Sequence, residues 1–219
     1  MYNFKIDHFV IGCKKLEEGT NFVENLLHEN LSDINKHISM QTHNRVISLG
    51  DNYLEVISPD PDSKLKHGSS WFELDNKKFI DKFLNKPKFI SFVISGNENK
   101  VSQFYEKKFM VRRDSYKWFF RKPNKKYLSQ KKIKNINSFP SFISWLSPPP
   151  IKSMIKSSYK LESLKITLNH SDIFFYDFIV NLKMKENICF NFTYKKSDYL
   201  PCLQLNLKNE KNNRKVVIS

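Results

Sequence analysis

Between residues 37 and 61 the sequence H-I-S-M-Q-T-H-N-R-V-I-S-L-G-D-N-Y-L-E-V-I-S-P-D-P sets His43, Asn44, Arg45 and Glu55 into an otherwise apolar frame. An imidazole titrates near neutral pH, and a carboxylate serves as acid, base or ligand. A histidine and a glutamate brought together can therefore move a proton or hold a cation. Glu55 lies between Leu54 and Val56. On a strand buried on one face it points either to water or into a polar site, and alternation alone leaves both open.

The flanking residues say how these side chains would be positioned. Val46, Ile47 and Leu49 precede a Gly50-Asp51 turn signal, and Tyr53, Leu54, Val56 and Ile57 follow it, so the stretch reads as a β-hairpin. Pro59 and Pro61 stop its second strand, because proline has no N–H to give a ladder. A two-residue loop places Asn44, Val46 and Ser48 on one face with Tyr53, Glu55 and Ile57, and His43 and Arg45 on the other. That mixed face suits a ligand better than bulk water.

The run T-H-N-R-V-I-S-L-G-D-N-Y-L-E-V-I at 42–57, preceded by I-D-H-F-V-I-G at 6–12, resembles the glyoxalase-like branch of the vicinal oxygen chelate (VOC) superfamily. W-F-E-L-D at 71–75, F-P-S-F-I-S-W at 139–145 and L-K-I-T-L-N-H-S-D at 164–172 fit the same branch in the same order. The resemblance implies an α+β fold of paired βαβββ modules whose curved sheets enclose a small-molecule pocket. In metal-dependent relatives the ligands come from the first and last strands of each module.

On that frame His8 and Glu55 are the sharpest pair. They could hold a divalent metal such as Zn, Fe, Mn or Ni, line a metal-free polar pocket, or simply bond to each other. Aligning the two module openings sets Ser91 opposite His8, and aligning the closing strands sets Ser144 opposite Glu55. Serines are poor ligands, so the paired His/Glu set of metal-dependent relatives is incomplete. His37 is a candidate third ligand or general base, with a surface histidine as the plainer reading. Thr42, His43 and Asn44 are candidates to bond a ligand oxygen. Tyr53, Trp71, Phe142 and Trp145 could wall an apolar pocket or be ordinary core. Arg112 and Arg113 would neutralise an anionic substrate only if the fold carries them over the cavity. His28, His67 and His170 read as surface. The catalytic candidates are thus Glu55 and His37, beside His8, Thr42, His43, Asn44 and Tyr53 for binding. No nucleophile elbow, P-loop or dinucleotide fingerprint is present.

Composition bounds the alternatives. The net charge of +15 invites a nucleic-acid partner. Yet the 219 residues include no alanine and only 5 glycines, while Lys, Asn, Ile, Phe and Ser abound, the pattern that A/T-rich codons leave. The basic residues are spread out apart from a denser zone at 107–134, and no DNA- or RNA-binding motif appears, so nucleic acid is the weaker partner. Apolar runs are too short to span a bilayer, and no secretory signal pattern opens the chain, so the expected compartment is the cytoplasm. Cys13, Cys189 and Cys202 are odd in number and widely spaced, which predicts free thiols.

Periodicity supplies the remaining elements. Alternation predicts a strand over 3–12, with Phe4, Ile6, His8 and Val10 on one face and Lys5, Asp7, Phe9 and Ile11 on the other. Helical spacing follows at 16–27, with a short helix inside the 60–86 connector. A second opening comes at 88–96, then a helix at 101–109, strands at 118–121, 133–136 and 139–146, and an exposed, mobile hairpin tip at 121–134. Residues 147–158, with Pro148, Pro149 and Pro150, read as a linker without regular structure. A third opening gives a strand at 161–168, a helix at 171–182 capped by Ser171 or Asp172, strands at 188–194 and 203–207, and an edge strand at 216–218. The expected organisation is a two-module glyoxalase-like domain at 1–146, a linker at 147–158 and a C-terminal βαββ repeat at 159–219 packing on the same domain. The function this implies is binding of a small oxygen-bearing metabolite against His8, Asn44 and Glu55, with lyase, isomerase or dioxygenase chemistry. Non-catalytic sequestration is the alternative. Whether closing the pocket needs a second chain, as in a homodimer, stays open.

Overall fold

The computed structural model describes residues 3–63, 70–133, 136–194 and 201–219. The chain opens with β1 (Phe4–Gly12), α1 (Leu16–Leu27), a short β2 (Asn35–His37), β3 (Thr42–Ser48) and β4 (Tyr53–Pro59). A connector holding α2 (Lys77–Phe83) leads to β5 (Lys88–Gly96), β6 (Phe109–Arg113), β7 (Tyr116–Arg121), α3 (Lys125–Gln130) and β8 (Ser141–Trp145). These strands form one sheet in the order β2-β3-β4-β1-β5-β8-β7-β6. Each module closes in the same way: β4 lies parallel to β1, and β8 lies parallel to β5. The two openings, β1 and β5, meet antiparallel at the centre. This is the paired-module α+β architecture that the resemblance implied.

A second sheet, β10-β9-β11-β12, comes from β9 (Tyr159–Asn169), α4 (Ile173–Leu182), β10 (Ile188–Thr193), β11 (Cys202–Asn209) and β12 (Lys215–Ile218). Leu164, Ile166, Leu168, Phe175 and Ile179 share one apolar core with Phe9, Ile11, Leu54 and Phe92 of the first sheet and Val23 of α1. The chain is tied across the two parts at Phe4, whose carbonyl accepts from Lys185 N at 3.0 Å, and at Ile6, whose N–H donates to Glu186 Oε2 at 2.9 Å.

Several expectations change. No helix runs over 101–109; two short 3₁₀ turns, Glu98–Lys100 and Ser102–Phe104, precede β6 instead. Val101, Phe104 and Tyr105 supply apolar spacing for little more than one turn, and α4 covers the face a longer helix would take. The Phe104 ring lies 4.9 Å from Phe178, and Phe139 lies 4.3 Å from the same ring. The lysine-rich 121–134 stretch is no exposed hairpin tip. Asn124 caps α3 by accepting from Tyr127 N at 3.1 Å, and Leu128 is fully buried. The strand expected at 133–136 is absent among the described residues there: Ile133 is irregular, and Ile136–Ser138 is a 3₁₀ turn. Residues 134–135, like His67 in the connector, lie outside the described residues. The proline-rich 147–158 segment contains a 3₁₀ turn at Pro150–Lys152, and Ser157 N donates to Ser48 O at 2.9 Å.

The change that matters most for function is in β1. Its pairing with β5 slips between Ile6 and His8, so Asp7 is an extra residue and a β-bulge results. Strict alternation is broken there. Ile6, Phe9 and Ile11 share the large core, while Val10 belongs to the cluster on the opposite face with Ile57, Trp71, Val93 and Trp118. His8 and Val10 therefore part from Phe4 and Ile6, with which alternation had grouped them, and Asp7 parts from Phe9 and Ile11.

Candidate functional site

The hairpin forms as its turn chemistry requires. Leu49 N donates to Asn52 O at 2.8 Å around Gly50-Asp51, and Gly50 takes φ +99°, a left-handed conformation that costs glycine little. The register follows, with Val46 opposite Glu55 and Asn44 opposite Ile57. Asn44 and Glu55 thus share a face, and Asn44 Nδ2 donates to Glu55 Oε1.

β1 runs beside β4, with His8 level with Tyr53. The His8 ring stacks on Tyr53 with centroids 4.6 Å apart and 19° between planes. The bulge sends Asp7 to the same side as His8. Asp7 Oδ1 lies 2.8 Å from His8 Nδ1, and Trp145 Nε1 donates to Asp7 Oδ2 at 2.9 Å. On the other side of the ring, His8 Nε2 lies 3.5 Å from Glu55 Oε2. An imidazole held between two buried carboxylates is the centre of the site. Burial and its neighbours Asp7 and Glu55 raise the Tyr53 hydroxyl well above the ordinary phenol range.

These groups line one cavity with His37, Arg113 and the aromatic walls Trp71, Trp118, Phe120 and Trp145. Its space is about 430 Å³ counting the open mouth, while the enclosed part has room for only a few water molecules. All three tryptophans of the chain are in its walls.

Arg113 ends β6, and the fold carries it over the cavity. Its Nη1 lies 3.1 Å from His37 Nε2. A guanidinium can only donate, so His37 Nε2 is the acceptor and its proton is on Nδ1, 3.4 Å from Thr42 Oγ1. Thr42 in turn accepts from Trp71 Nε1 at 3.0 Å. His37 is buried, not a surface group. Burial, with Arg113 and His8 nearby, pushes its imidazole down from 6.5 to about 3. A base that weak leaves the general-base role foreseen for His37 without support. It is a neutral acceptor that positions Arg113.

The structure thus brings His8, His37, Asn44, Tyr53 and Glu55 together. Thr42 is fully buried behind Trp71 and His37. His43 points away: its Nε2 lies 2.6 Å from Ser58 Oγ, and it lines a groove at the start of α1. Phe142 is on the opposite face in the large core, so it walls nothing. Asp7 was missed, because alternation hides a bulge. Its one sequence signal is its adjacency to His8.

The residues do not fit a divalent metal. His8 and Glu55 offer two donors, both already engaged. The second module faces them with Trp118, Phe120, Ile143 and Trp145, while Ser144 turns to Glu98 at 3.3 Å and Ser91 Oγ lies 3.5 Å from Phe92 O. Arg113 adds a fixed positive charge. Among the described residues no group of three or more His, Cys, Asp or Glu side chains is placed to hold an ion. Among those residues, too, no helix is long and apolar enough to cross a membrane.

The glyoxalase-like domain family model matches residues 6–172. No curated protein matches the sequence. Among solved structures, a hypothetical protein from Staphylococcus aureus aligns over 99% of this chain and 86% of its own, with 14% identity and a TM-score of 0.61. A methylmalonyl-CoA epimerase from Mycobacterium tuberculosis aligns over 68% of this chain and 91% of its own (14% identity, TM-score 0.41). A methylmalonyl-CoA epimerase variant from Streptomyces coelicolor, in complex with 2-nitronate-propionyl-CoA, aligns over 67% of this chain and 100% of its own (12% identity, TM-score 0.44). At these identities the likeness is one of fold.

Proposed function

The chain belongs to the glyoxalase-like domain family of the VOC superfamily, and from that premise we propose that it binds a small oxygen-bearing metabolite against His8, Asn44 and Glu55 and moves a proton next to its carbonyl. One observation carries the reading: the His8 ring lies between the Asp7 and Glu55 carboxylates at the floor of an aromatic-walled cavity. Buried charges are expensive to retain unless they are paired and bonded, and here a bulge brings the second carboxylate to the ring. Asp7 Oδ1 accepts a hydrogen bond from the Nδ1–H and so orients the ring. His8 Nε2 and Glu55 Oε2 then face each other as two lone pairs, and a single proton between them completes the contact. That proton is available for exchange with substrate. With that proton on His8 Nε2, Glu55 Oε2 takes the proton from carbon while His8 gives its Nε2 proton to the carbonyl oxygen, leaving the enol, and Asn44 holds the other oxygen of Glu55. The chemistry is of isomerase or lyase type and is routed through no metal.

The test is hydrogen–deuterium exchange at the carbon next to the carbonyl of small aldehydes, ketones and 2-oxo acids, followed by NMR in D2O. Wild type should accelerate exchange for part of the panel, and Glu55→Gln should slow it about 100-fold or more. Equal exchange in wild type and variant would remove Glu55 from the chemistry. A non-catalytic sequestration protein is favoured by the fact that Asn44 and Trp145 already bond both carboxylates. It predicts binding, read by tryptophan fluorescence, with no exchange.

A further inference from the structure

Arg113 is a cation without a counter-charge. Its Nη1 is spent on the neutral His37, and its buried Nε has no partner. Among the described residues no carboxylate comes within 4.0 Å of its guanidinium. The two nearby acids are committed elsewhere, Asp7 to His8 and Trp145, Glu55 to Asn44 and His8. A partly buried guanidinium facing an aromatic cavity, with a donor left over, is a poor structural element. It is a good half of a binding site, since planar N–H donors match a carboxylate.

A second atom is left over in the same cavity. Asn44 Oδ1 is buried and unpartnered. Its orientation is settled chemically, because the amide must turn Nδ2 toward the Glu55 carboxylate, and an oxygen there would face an oxygen. A ligand is therefore asked for an anion at Arg113 and a hydrogen-bond donor at Asn44. The enclosed space, fit for a few waters, restricts it to a short chain.

We infer that the ligand of this cavity is a short 2-hydroxycarboxylate, its carboxylate on Arg113 and its hydroxyl donating to Asn44 Oδ1. This rests on the cavity reading above and gives it a substrate class, in which the carbon that bears the hydroxyl is the one next to the carboxyl carbonyl. His37 then has a stated purpose: a neutral imidazole holds the arginine by its Nη1 without cancelling the charge that the ligand must meet.

The experiment uses lactate and glycolate as probes against lactamide, which keeps the hydroxyl and loses the charge, and propionate, which keeps the charge and loses the hydroxyl. Binding to the full chain is read by tryptophan fluorescence, and the ¹⁵N resonance of the Arg113 Nε reports the contact directly. Lactate should bind at least about tenfold more tightly than lactamide or propionate and shift the Nε signal. Arg113→Gln should erase the preference over lactamide, and Arg113→Lys should restore part of it. Lactamide binding as well as lactate, with Glu55→Gln altering both, would overturn the anion inference and leave the cavity reading standing. No response to any probe would overturn the 2-hydroxycarboxylate inference, and exchange with the carbonyl panel above would still leave the cavity reading standing. Should Arg113→Gln fail to fold, the wild-type ratio of lactate to lactamide and the Nε shift decide the matter alone.

Discussion

Acid should destabilise this protein through His37, by an amount the structure sets. The buried imidazole holds a folded value of about 3 against 6.5 when unfolded. In the unfolded chain His37 takes up a proton as pH falls through 6.5, while the folded chain refuses it down to about 3. The unfolded state therefore binds more protons, and stability falls with pH across that window. At one kcal-scale step of ~1.36 per unit, the loss is ~2 kcal/mol on going from neutral pH to about pH 5. That figure barely changes for any folded value below about 4, because the folded state is then still deprotonated at pH 5. The assay is urea unfolding at about pH 7.5 and about pH 5 for wild type and His37→Gln, whose amide oxygen still accepts from Arg113. Groups that titrate elsewhere, including the half-buried His43 with its own lowered value, contribute equally to both proteins. The difference between the two pH slopes isolates His37. Wild type should lose ~2 kcal/mol more than the variant. Equal slopes would show that folded His37 takes up its proton as readily as in the unfolded chain, and the account of a desolvated imidazole beside Arg113 would fall with it.

Two further outcomes are expected. Trp145→Phe removes the donor to Asp7 Oδ2 and should cost about 1.5–3 kcal/mol of unfolding free energy, the value of a lost bond to a charged group; a change within experimental error would mean water takes over that oxygen. Thiol labelling followed by mass spectrometry should modify the exposed Cys189 first and Cys202, whose thiol is pushed up by burial, more slowly. Cys13, buried and pushed up to about 12, should react only when the chain unfolds, and its modification in native protein would refute its burial in the core.

Much of the architecture was legible because its signals are local. Amphipathic spacing in α1, the Gly50-Asp51 turn, and prolines closing β4 each act within a few residues, and each appears where it was read. The site residues on the hairpin followed from the same logic. Once the loop is two residues long, the period of a strand puts Asn44 and Glu55 on one face. What failed was decided at a distance. The helix read at 101–109 gave way because Phe104 is covered by α4, some seventy positions along the chain, and apolar residues report burial without naming what buries them. Leu128 in the lysine-rich segment was overlooked for the same reason: one core contact outweighs a run of charges.

The sequence by itself determined the family, the paired modules, the hairpin register and the presence of His8, Asn44 and Glu55 in strand positions, since period and turn type are properties of neighbouring residues. Only the tertiary structure decided which way they face and what they meet. The bulge at Asp7 is a mismatch between two paired strands, invisible in either strand alone, and it turns a two-residue pair into an imidazole between two carboxylates. Arg113 reaches the cavity from the end of β6, the edge strand of the second module, by a placement that no local pattern encodes. The low basicity of His37 arises from exclusion of water and from a cation seventy-six positions away, and desolvation exists only once the chain has closed around the group.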